Sequence, residues 1–322
     1  MKIIRRKNQN GTSIDATASG ADKASIDISH PAWVNASIET SKDRTGLVLQ
    51  NGTKLHVDYG RGTRHVTFAD GTELEAEESE FPESPWSKKK AIWYTLGIPG
   101  FSTFFVARDA VGIPTINFPS TSTSATAATP VERLSVHQFT SKLAEAQVPI
   151  QVTVGNDQSL NFTHKDTTQV IIKKSGELEV QAKQGNNVTR AFTDNNTIVA
   201  NVNGVHTIAE PSKVTVVQNN QVQTVVTPEH VTVPLNDGRE LVQPATGDGQ
   251  LKLPDGNIVA PPINQPVQNI QGDQVFVVAN QEDPVQQPPV QQPPVNQNPA
   301  PQPPVPPAPQ PPVDQNPPPP PP

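Results

Sequence analysis

The chain has 322 residues, a net charge of −7, no cysteine, and only 34% hydrophobic and 5% aromatic residues. The lack of cysteine excludes disulfides, thiolate metal sites and cysteine nucleophiles, and the acidic balance without a basic face argues against a nucleic-acid partner. Abundant Val and Thr with few aromatics favour short, half-exposed strands. The predicted fold class is therefore mainly β: a meander or sandwich of short strands with one short amphipathic helix, a disordered N-terminal leader and a disordered Pro-rich C-terminal tail.

Residues 1–44 are predicted to form a flexible polar leader. The first seven residues are basic in part but lack the apolar run of a secretory signal. Residues 8–29 are rich in Ser, Thr, Ala and Asp with isolated Ile, and in composition they resemble the N-terminal signals of bacterial type III secretion substrates. That resemblance implies an exported effector, and the alternative is a disordered N-terminus without a targeting role.

Residues 45–87 are predicted to form a small β meander followed by an acidic run. Short alternating strands are accompanied by Asn51-Gly52 and Asp70-Gly71, which are strong local hairpin signals. A sheet of three or four strands is marginally stable alone, so we expect it to need a partner surface. The carboxylates of residues 73–83 indicate a solvated acidic run rather than paired acid–base catalysts.

Residues 88–118 contain a hydrophobic segment that is a candidate membrane anchor. Three lysines precede the 17 uncharged residues 91–107, which as a helix would span roughly 26 Å, at the short limit for a bilayer core. Aromatic residues concentrate at membrane interfaces, and flanking lysines indicate the cytoplasmic side. Pro99-Gly100 and the following Arg108-Asp109 favour the alternative, a buried loop or short hydrophobic element of a soluble domain. The candidate membrane-interface residues are Lys88, Lys89, Lys90, Trp93, Tyr94, Phe101, Phe104 and Phe105.

Residues 119–129 are predicted to be a Ser/Thr-rich linker that leads into a helix over residues 130–147. Thr129 is the expected N-cap, Pro130 occupies the first helical position, and Glu132 completes a Thr-x-x-Glu capping box. Apolar residues then recur near helical spacing, and we expect them to pack in a core rather than bind a partner. These residues are Val131, Leu134, Phe139, Leu143 and Ala146.

Residues 130–279 are predicted to form this helix and a β-rich domain. Turn signals recur about every nine or ten residues between short strands, which is typical of a meander, a sandwich or a solenoid. The strands share a rhythm but no sequence register, so a sandwich or irregular meander is favoured over a solenoid. The predicted strands are 150–154, 169–173, 177–182, 188–192, 197–202, 206–209, 213–218, 221–226, 230–233, 250–253 and 274–278.

Residues 280–322 are predicted to be an extended tail. From Pro284 onward about half of the residues are proline, and none is lysine, arginine or aromatic. Such a segment cannot bury enough apolar surface to offset its ordering entropy, and polyproline II would extend residues 284–322 to about 120 Å. The basic, tyrosine or phenylalanine residues that common proline-binding domains require are absent, so a spacer is favoured over a ligand.

No catalytic, cofactor-binding or metal-binding motif is present. None of the seven histidines forms a His-x-x-x-His pair. His56 and Asp58 share a strand face with His65 across the hairpin, and ordinary strand decoration is favoured over a metal site. The sequence therefore predicts no enzyme, no cofactor and no small-molecule substrate.

The favoured function is a non-enzymatic structural or interaction protein of bacterial or viral origin with protein partners. It presents a β-rich domain and an extended Pro-rich spacer at a membrane or cell envelope, where residues 91–107 are the candidate anchor. One alternative is a secreted bacterial effector that binds a host protein through the β domain and the polyproline tail. A second alternative is an enzyme without a recognisable motif.

Overall fold

A computed structural model describes residues 3–8, 11–31, 33–81, 89–99, 101, 103–119, 130–165, 167–185, 187–194 and 197–278. Within these residues the chain forms 27 strands and one helix, arranged in two antiparallel sheets. The mainly β fold class is thus confirmed. The chain divides into two units, Met1–Asn280 and Gln281–Pro322, and the predicted Pro-rich tail lies outside the described residues.

Sheet 1 is formed by the first twelve strands together with the last two. The first twelve are β1 (Ile3–Lys7), β2 (Ser13–Ala18), β3 (Ala24–His30), β4 (Trp33–Thr40), β5 (Arg44–Leu49), β6 (Lys54–Asp58), β7 (Thr63–Thr67), β8 (Glu73–Phe81), β9 (Lys89–Leu96), β10 (Phe104–Arg108), β11 (Pro114–Pro119) and β12 (Pro130–Ser135). Each pairs with its chain neighbours, so these strands form one continuous meander.

Sheet 2 is a second meander, which follows the single helix α1 (Val136–Glu145). Its strands are β13 (Ile150–Val154), β14 (Leu160–His164), β15 (Thr168–Ile172), β16 (Leu178–Gln184), β17 (Asn187–Asp194), β18 (Thr197–Val202), β19 (Val205–Glu210), β20 (Lys213–Gln218), β21 (Gln221–Val226), β22 (His230–Pro234), β23 (Glu240–Pro244), β24 (Gln250–Lys252) and β25 (Ile258–Val259). The chain then returns to sheet 1 through β26 (Val267–Gln268) and β27 (Gln274–Val278), and β27 pairs with β1.

The two sheets pack face to face, and the second meander retraces the first in reverse. Strand β3 contacts β20, β4 contacts β19, and β5 contacts β18. Alternate residues of each strand point between the sheets, including Ile26, Ile38 and Leu47 from sheet 1 and Ala200 and Val214 from sheet 2, all fully buried. The strand period of two places these small and branched side chains on one face, which makes the molecule a β-sandwich.

One hairpin turn recurs nine times in the described residues. In each, the first residue donates its N–H to the carbonyl four positions later, and the fourth residue donates its N–H back to the first. The fourth residue has a φ between +79° and +89° where it is glycine, and Gln158 takes this position once with a φ of +65°. These glycines are Gly11, Gly52, Gly71, Gly112, Gly176, Gly238, Gly256 and Gly272. The predicted Asn-Gly and Asp-Gly hairpins are therefore present, but as longer turns that end in a left-handed bulge residue.

The structure corrects the extent of the predicted flexible leader over residues 1–44. Four strands, β1 to β4, lie within it, and β5 begins at its last residue. Isolated apolar residues such as Ile14, Ala16, Ile28 and Ala36 alternate with polar ones and are buried between the sheets. The abundant Ser, Thr and Asp occupy the opposite, solvated face, so the composition concealed a strand pattern.

The N-terminal strand is also fixed by a buried ion pair. The guanidinium of Arg6 on β1, 1% exposed, lies 2.7 Å from Asp273 in the turn that precedes β27. Arg6 also donates to Gln218 of sheet 2, and Asn269 donates to Asp273 at 3.3 Å. This polar cluster connects the first strand, the last strand and the second sheet.

The predicted helix over residues 130–147 begins later than expected. Residues 130–135 pair with β11, with Leu134 opposite Ile116, so they form the strand β12. The N-cap is Ser135, whose hydroxyl accepts from the Gln138 N–H at 3.2 Å, while the Gln138 side chain accepts from the Ser135 N–H at 2.8 Å. A Ser-x-x-Gln capping box thus replaces the predicted Thr-x-x-Glu box, whose Thr129 lies outside the described residues. The helix packs Phe139 and Leu143 into the core.

The candidate membrane anchor forms strands rather than a helix. Residues 91–96 belong to β9 and residues 104–107 to β10, which pair with Tyr94 opposite Phe104. Tyr94 and Leu96 alternate with Trp93 and Thr95, which is the period of a strand and explains why the expected helix is absent. The part of the chain that the structure describes contains no helix with the length and hydropathy of a membrane span. The acidic run before this segment is β8, which pairs with β9 in a register that sets Glu80 opposite Lys90.

Candidate functional site

The outer faces of the two sheets differ in chemistry. In sheet 1 a row of directly opposed residues crosses the strands from β9 to β2, and every member except Gly46 is polar. Its members are Thr95, Glu75, His65, His56, Gly46, Glu39, Ser25 and Thr17. This is the pattern expected where one face of an antiparallel sheet contacts water.

The corresponding row of sheet 2 is largely apolar. Six half-buried apolar side chains point away from the core on strands β15, β17, β18, β19, β21 and β23, while both chain neighbours of each are buried. We call these six residues the outer row: Ile171, Phe192, Val199, Ile208, Val225 and Val242. Register connects them directly or through Glu179, Thr215 and Thr232, so they form one line across nine successive strands.

The outer row exists because several strands of sheet 2 have apolar residues at both their inward-facing and their outward-facing positions. In β18, Ile198 and Ala200 face the core while Val199 faces outward, and in β19 Ile208 lies between buried Thr207 and Ala209. A half-solvated strand normally alternates apolar with polar residues. Reading the outward positions of each predicted strand separately would have found this signal.

Charged residues flank the outer row at Phe192. The Lys173 ammonium lies 5.4 Å from the centre of the Phe192 ring and 3.4 Å from a Glu179 carboxylate oxygen. Arg190 and Asp194 lie two residues before and after Phe192 on the same outward face, and both are exposed. Neither makes an ion pair with any residue that the structure describes. Besides the paired Lys173, the row therefore has an exposed cation, Arg190, on one flank and an exposed anion, Asp194, on the other.

A polar concavity on sheet 1 surrounds His56. Its volume is about 430 Å³, and its lining includes Lys23, Glu39 and Arg44. The His56 ring lies over Gly46, where an added Cβ would approach its Cδ2 atom to 2.8 Å. Burial, together with the nearby positive charge of Arg44, lowers the pKa of His56 from 6.5 to about 4. The imidazole is therefore neutral at pH 7.

The residues His56, Asp58 and His65 lie on the neighbouring strands β6 and β7. His56 lies directly opposite His65, and His65 Nδ1 is 3.7 Å from Glu75. Asp58 accepts a hydrogen bond from the Gly60 N–H at 3.0 Å and so stabilises the turn between β6 and β7. Across the described part of the chain, no group of three His, Asp or Glu residues has the arrangement of a metal site.

A groove of about 720 Å³ lies between α1 and the edge strand β13. Its walls are mainly aliphatic, with Val136, Val148 and Val152 among them, and only His137 and Lys165 of its lining can titrate. The Thr140 hydroxyl donates to the Val152 carbonyl at 2.8 Å, which fixes the helix against the strand. The groove does not bring together the convergent acids and bases of a typical catalytic site.

The structure separates the candidate membrane-interface residues into two groups. Trp93 and Phe105 lie on the outer face of sheet 1 in an edge-to-face contact of 5.3 Å. Tyr94 and Phe104 are buried and stacked at 5.7 Å, and burial raises the pKa of the Tyr94 hydroxyl. Phe101 is half-buried against Phe139 of the helix. Lys88 lies outside the described residues, and Lys89 and Lys90 begin β9. A membrane-interface role for this set stays a prediction.

No protein-family model and no curated protein matches the chain. Among solved structures it is similar to the TCP10 domain of Danio rerio CPAP, with 13% identity and a TM-score of 0.20 over 78% of this chain and 95% of that chain. It is also similar to that domain in complex with a peptide of Danio rerio STIL, with 12% identity and a TM-score of 0.18 over 79% of this chain and 96% of that chain. At these TM-scores the similarity carries no statement about the function of this chain.

Proposed function

We propose that this chain is a non-enzymatic interaction protein whose sandwich binds a partner protein on the outer row of sheet 2. The observation that carries the proposal is the line of six apolar side chains on a face that normally contacts water. Apolar side chains gathered on an outward face are typical of interaction sites, and aromatic residues such as Phe192 contribute strongly to binding at such sites. The polar row of sheet 1 provides the internal contrast.

The Pro-rich residues 280–322 belong to the same proposal as a spacer. Their composition favours an extended, solvated chain without a recognised binding signature. Location at a membrane or cell envelope, or secretion as an effector, is proposed on the sequence signals alone. Two measurements on cells that express the full chain distinguish these locations. Retention in the pellet after carbonate extraction supports membrane association, and recovery of the chain from the culture medium supports secretion.

Site-specific photo-crosslinking tests the proposed binding surface. A photo-crosslinking amino acid replaces Val199 in the full chain, and in a matched protein it replaces Val48. Val48 is 38% exposed on the outer face of sheet 1 and serves as the control for an exposed valine on a strand. We expect position 199, but not position 48, to form a crosslink to a specific non-self protein.

Reconstitution decides whether that crosslink reports binding. The captured protein, once purified, is titrated against the wild-type chain, Val199→Asp and Val48→Asp. We expect Val199→Asp to weaken binding at least tenfold and Val48→Asp to change it less than twofold, because only the first places a charge in the apolar interface. Equal binding by both variants, or crosslinks at position 199 only between copies of this chain, would contradict the proposal.

A further inference from the structure

We propose that the part of the outer row from Phe192 to Val242 binds an amphipathic α-helix of about 20 residues, lying across the strands with acidic residues towards Arg190 and basic residues towards Asp194. This inference rests on the proposed function and adds the kind of partner. It follows from the spacing of the row, from the pairing of the backbone beneath it, and from the charges at its two flanks.

The spacing of the outer row is closer to the pitch of a helix than to the side-chain repeat of an extended chain. Neighbouring strands lie about 4.8 Å apart, and one helical turn advances 5.4 Å, so a helix that runs across the strands places about one turn over each strand. Glu179 separates Ile171 from the rest of the row. From Phe192 on β17 to Val242 on β23 there are six strand intervals, or about 29 Å, which corresponds to about 19 helical residues. An extended chain places side chains of one face about 6.7 Å apart. After two strand intervals its side chains are therefore displaced by about 4 Å from the strands beneath them.

The backbone beneath the row cannot pair with a ligand. Strands β16 to β22 lie inside sheet 2 and are hydrogen-bonded to a neighbour on both sides. An extended peptide usually binds by adding to a free sheet edge, and the middle of a sheet face has no such edge. A helix satisfies its own backbone hydrogen bonds and needs only side-chain contacts, which is what this face provides.

The flanks of the row give the helix an orientation. Arg190 and the polar side chains of Gln181, Asn201 and His206 lie in register on one side of Phe192 and Val199. Asp194 lies on the other side, and Glu210 there is paired with Lys213 at 3.1 Å. Arg190 and Asp194, neither of which has an ion-pair partner among the described residues, have opposite signs. A partner helix with oppositely charged flanks complements both only when its acidic flank faces Arg190.

Two display libraries test this inference against the full chain. One presents a randomised helix surface on a small helical bundle, and the other presents unconstrained linear peptides. We expect the helical library to yield binders that lose at least tenfold in affinity for Val199→Asp and keep it for Val48→Asp. We also expect these binders to block the crosslink from position 199 to the captured partner. In addition, Arg190→Glu should weaken the selected helical binders several-fold. A binder whose acidic residue opposite position 190 is replaced by lysine should regain affinity for Arg190→Glu.

The outcomes separate this inference from the proposed function. If only linear peptides block the position-199 crosslink, the helix inference is overturned while the proposed function stands. If no partner crosslinks specifically at position 199, the proposed function itself fails. Co-sedimentation with anionic phospholipid vesicles that depends on Val199, in place of a protein crosslink, would assign the row to a lipid surface and overturn both.

Discussion

Replacement of Arg6 by methionine tests whether the N-terminal strand is part of the folded sandwich. The Arg6 side chain is buried, and its Nη2 and Nε atoms lie 2.7 and 2.9 Å from Asp273 Oδ2. Burial lowers the pKa of the guanidinium, and the charge of Asp273 opposes that effect. Arg6→Met would leave the Asp273 carboxylate buried without its cation. We therefore expect the free energy of local opening of β1 to fall by about 3–5 kcal/mol.

The neighbouring Arg5 supplies a matched control. Arg5 is on the same strand and pairs with Asp15 at 2.7 Å, but its side chain is 46% exposed. Arg5→Met should therefore cost less than about 1 kcal/mol. Hydrogen exchange of the β1 and β27 amides under native conditions measures the local opening free energy, and urea unfolding followed by circular dichroism measures the global one. Equal losses of stability in Arg6→Met and Arg5→Met would contradict a stabilising role for the buried ion pair. The double variant Arg6→Met with Asp273→Leu should recover much of the stability lost in Arg6→Met.

Two further predictions concern His56 and the helix cap. Because its folded pKa of about 4 lies below the ordinary 6.5, neutral His56 leaves stability unchanged above pH 6.5. Stability then falls between pH 6.5 and 4, by about 1 kcal/mol after allowance for solvent screening. His56→Gln should remove this pH dependence, which urea titrations measure as the difference in the free energy of unfolding between pH 7 and pH 4.5. An equal difference in the wild-type protein and in His56→Gln would contradict the prediction. Ser135→Ala should destabilise α1 by about 1 kcal/mol through loss of the N-cap, measured by exchange of its amides. Ser141→Ala, which changes an exposed mid-helix hydroxyl bonded to the His137 carbonyl, should be nearly neutral, and equal effects would refute the cap assignment.

Most of the short strands after residue 149 could be predicted because their alternation and turns are local, but β14, β23, β25 and β26 were not among the predicted strands. The bounds of β13, β18, β20, β21 and β27 agree with the sequence prediction, β22 differs by one residue at one end, and β16 and β17 differ by one or two residues at both ends. By contrast, β1 to β4 were missed because low apolar content was read as disorder, although Ile14 and Ile26 alternate correctly for a buried strand face. Composition averages over both faces of a strand and so hides the buried one.

The candidate site could not be predicted because it depends on register between strands. Phe192, Val199 and Ile208 lie within a span of 17 residues, yet their alignment requires the pairings of three strands. The Arg6–Asp273 pair joins residues 267 positions apart, which no local pattern indicates. The uncharged segment 91–107 was ambiguous for a different reason, because a short apolar run suits a buried strand as well as a helix.

The reversed path of the second meander has a consequence for synthesis of the chain. The inner face of β3 is covered by β20, which the ribosome delivers about 180 residues later, after roughly 10–35 s at typical elongation rates. The strands nearest α1 are covered first, and closure then proceeds back towards the N-terminus as each new hairpin emerges. The side chains of Ile26 and Ile38 are therefore among those that remain uncovered by sheet 2 for the longest part of synthesis. A ribosome that stalls within sheet 2 would leave the earliest-made strands bare, so slow translation of residues 150–278 should raise aggregation more than slow translation before residue 135.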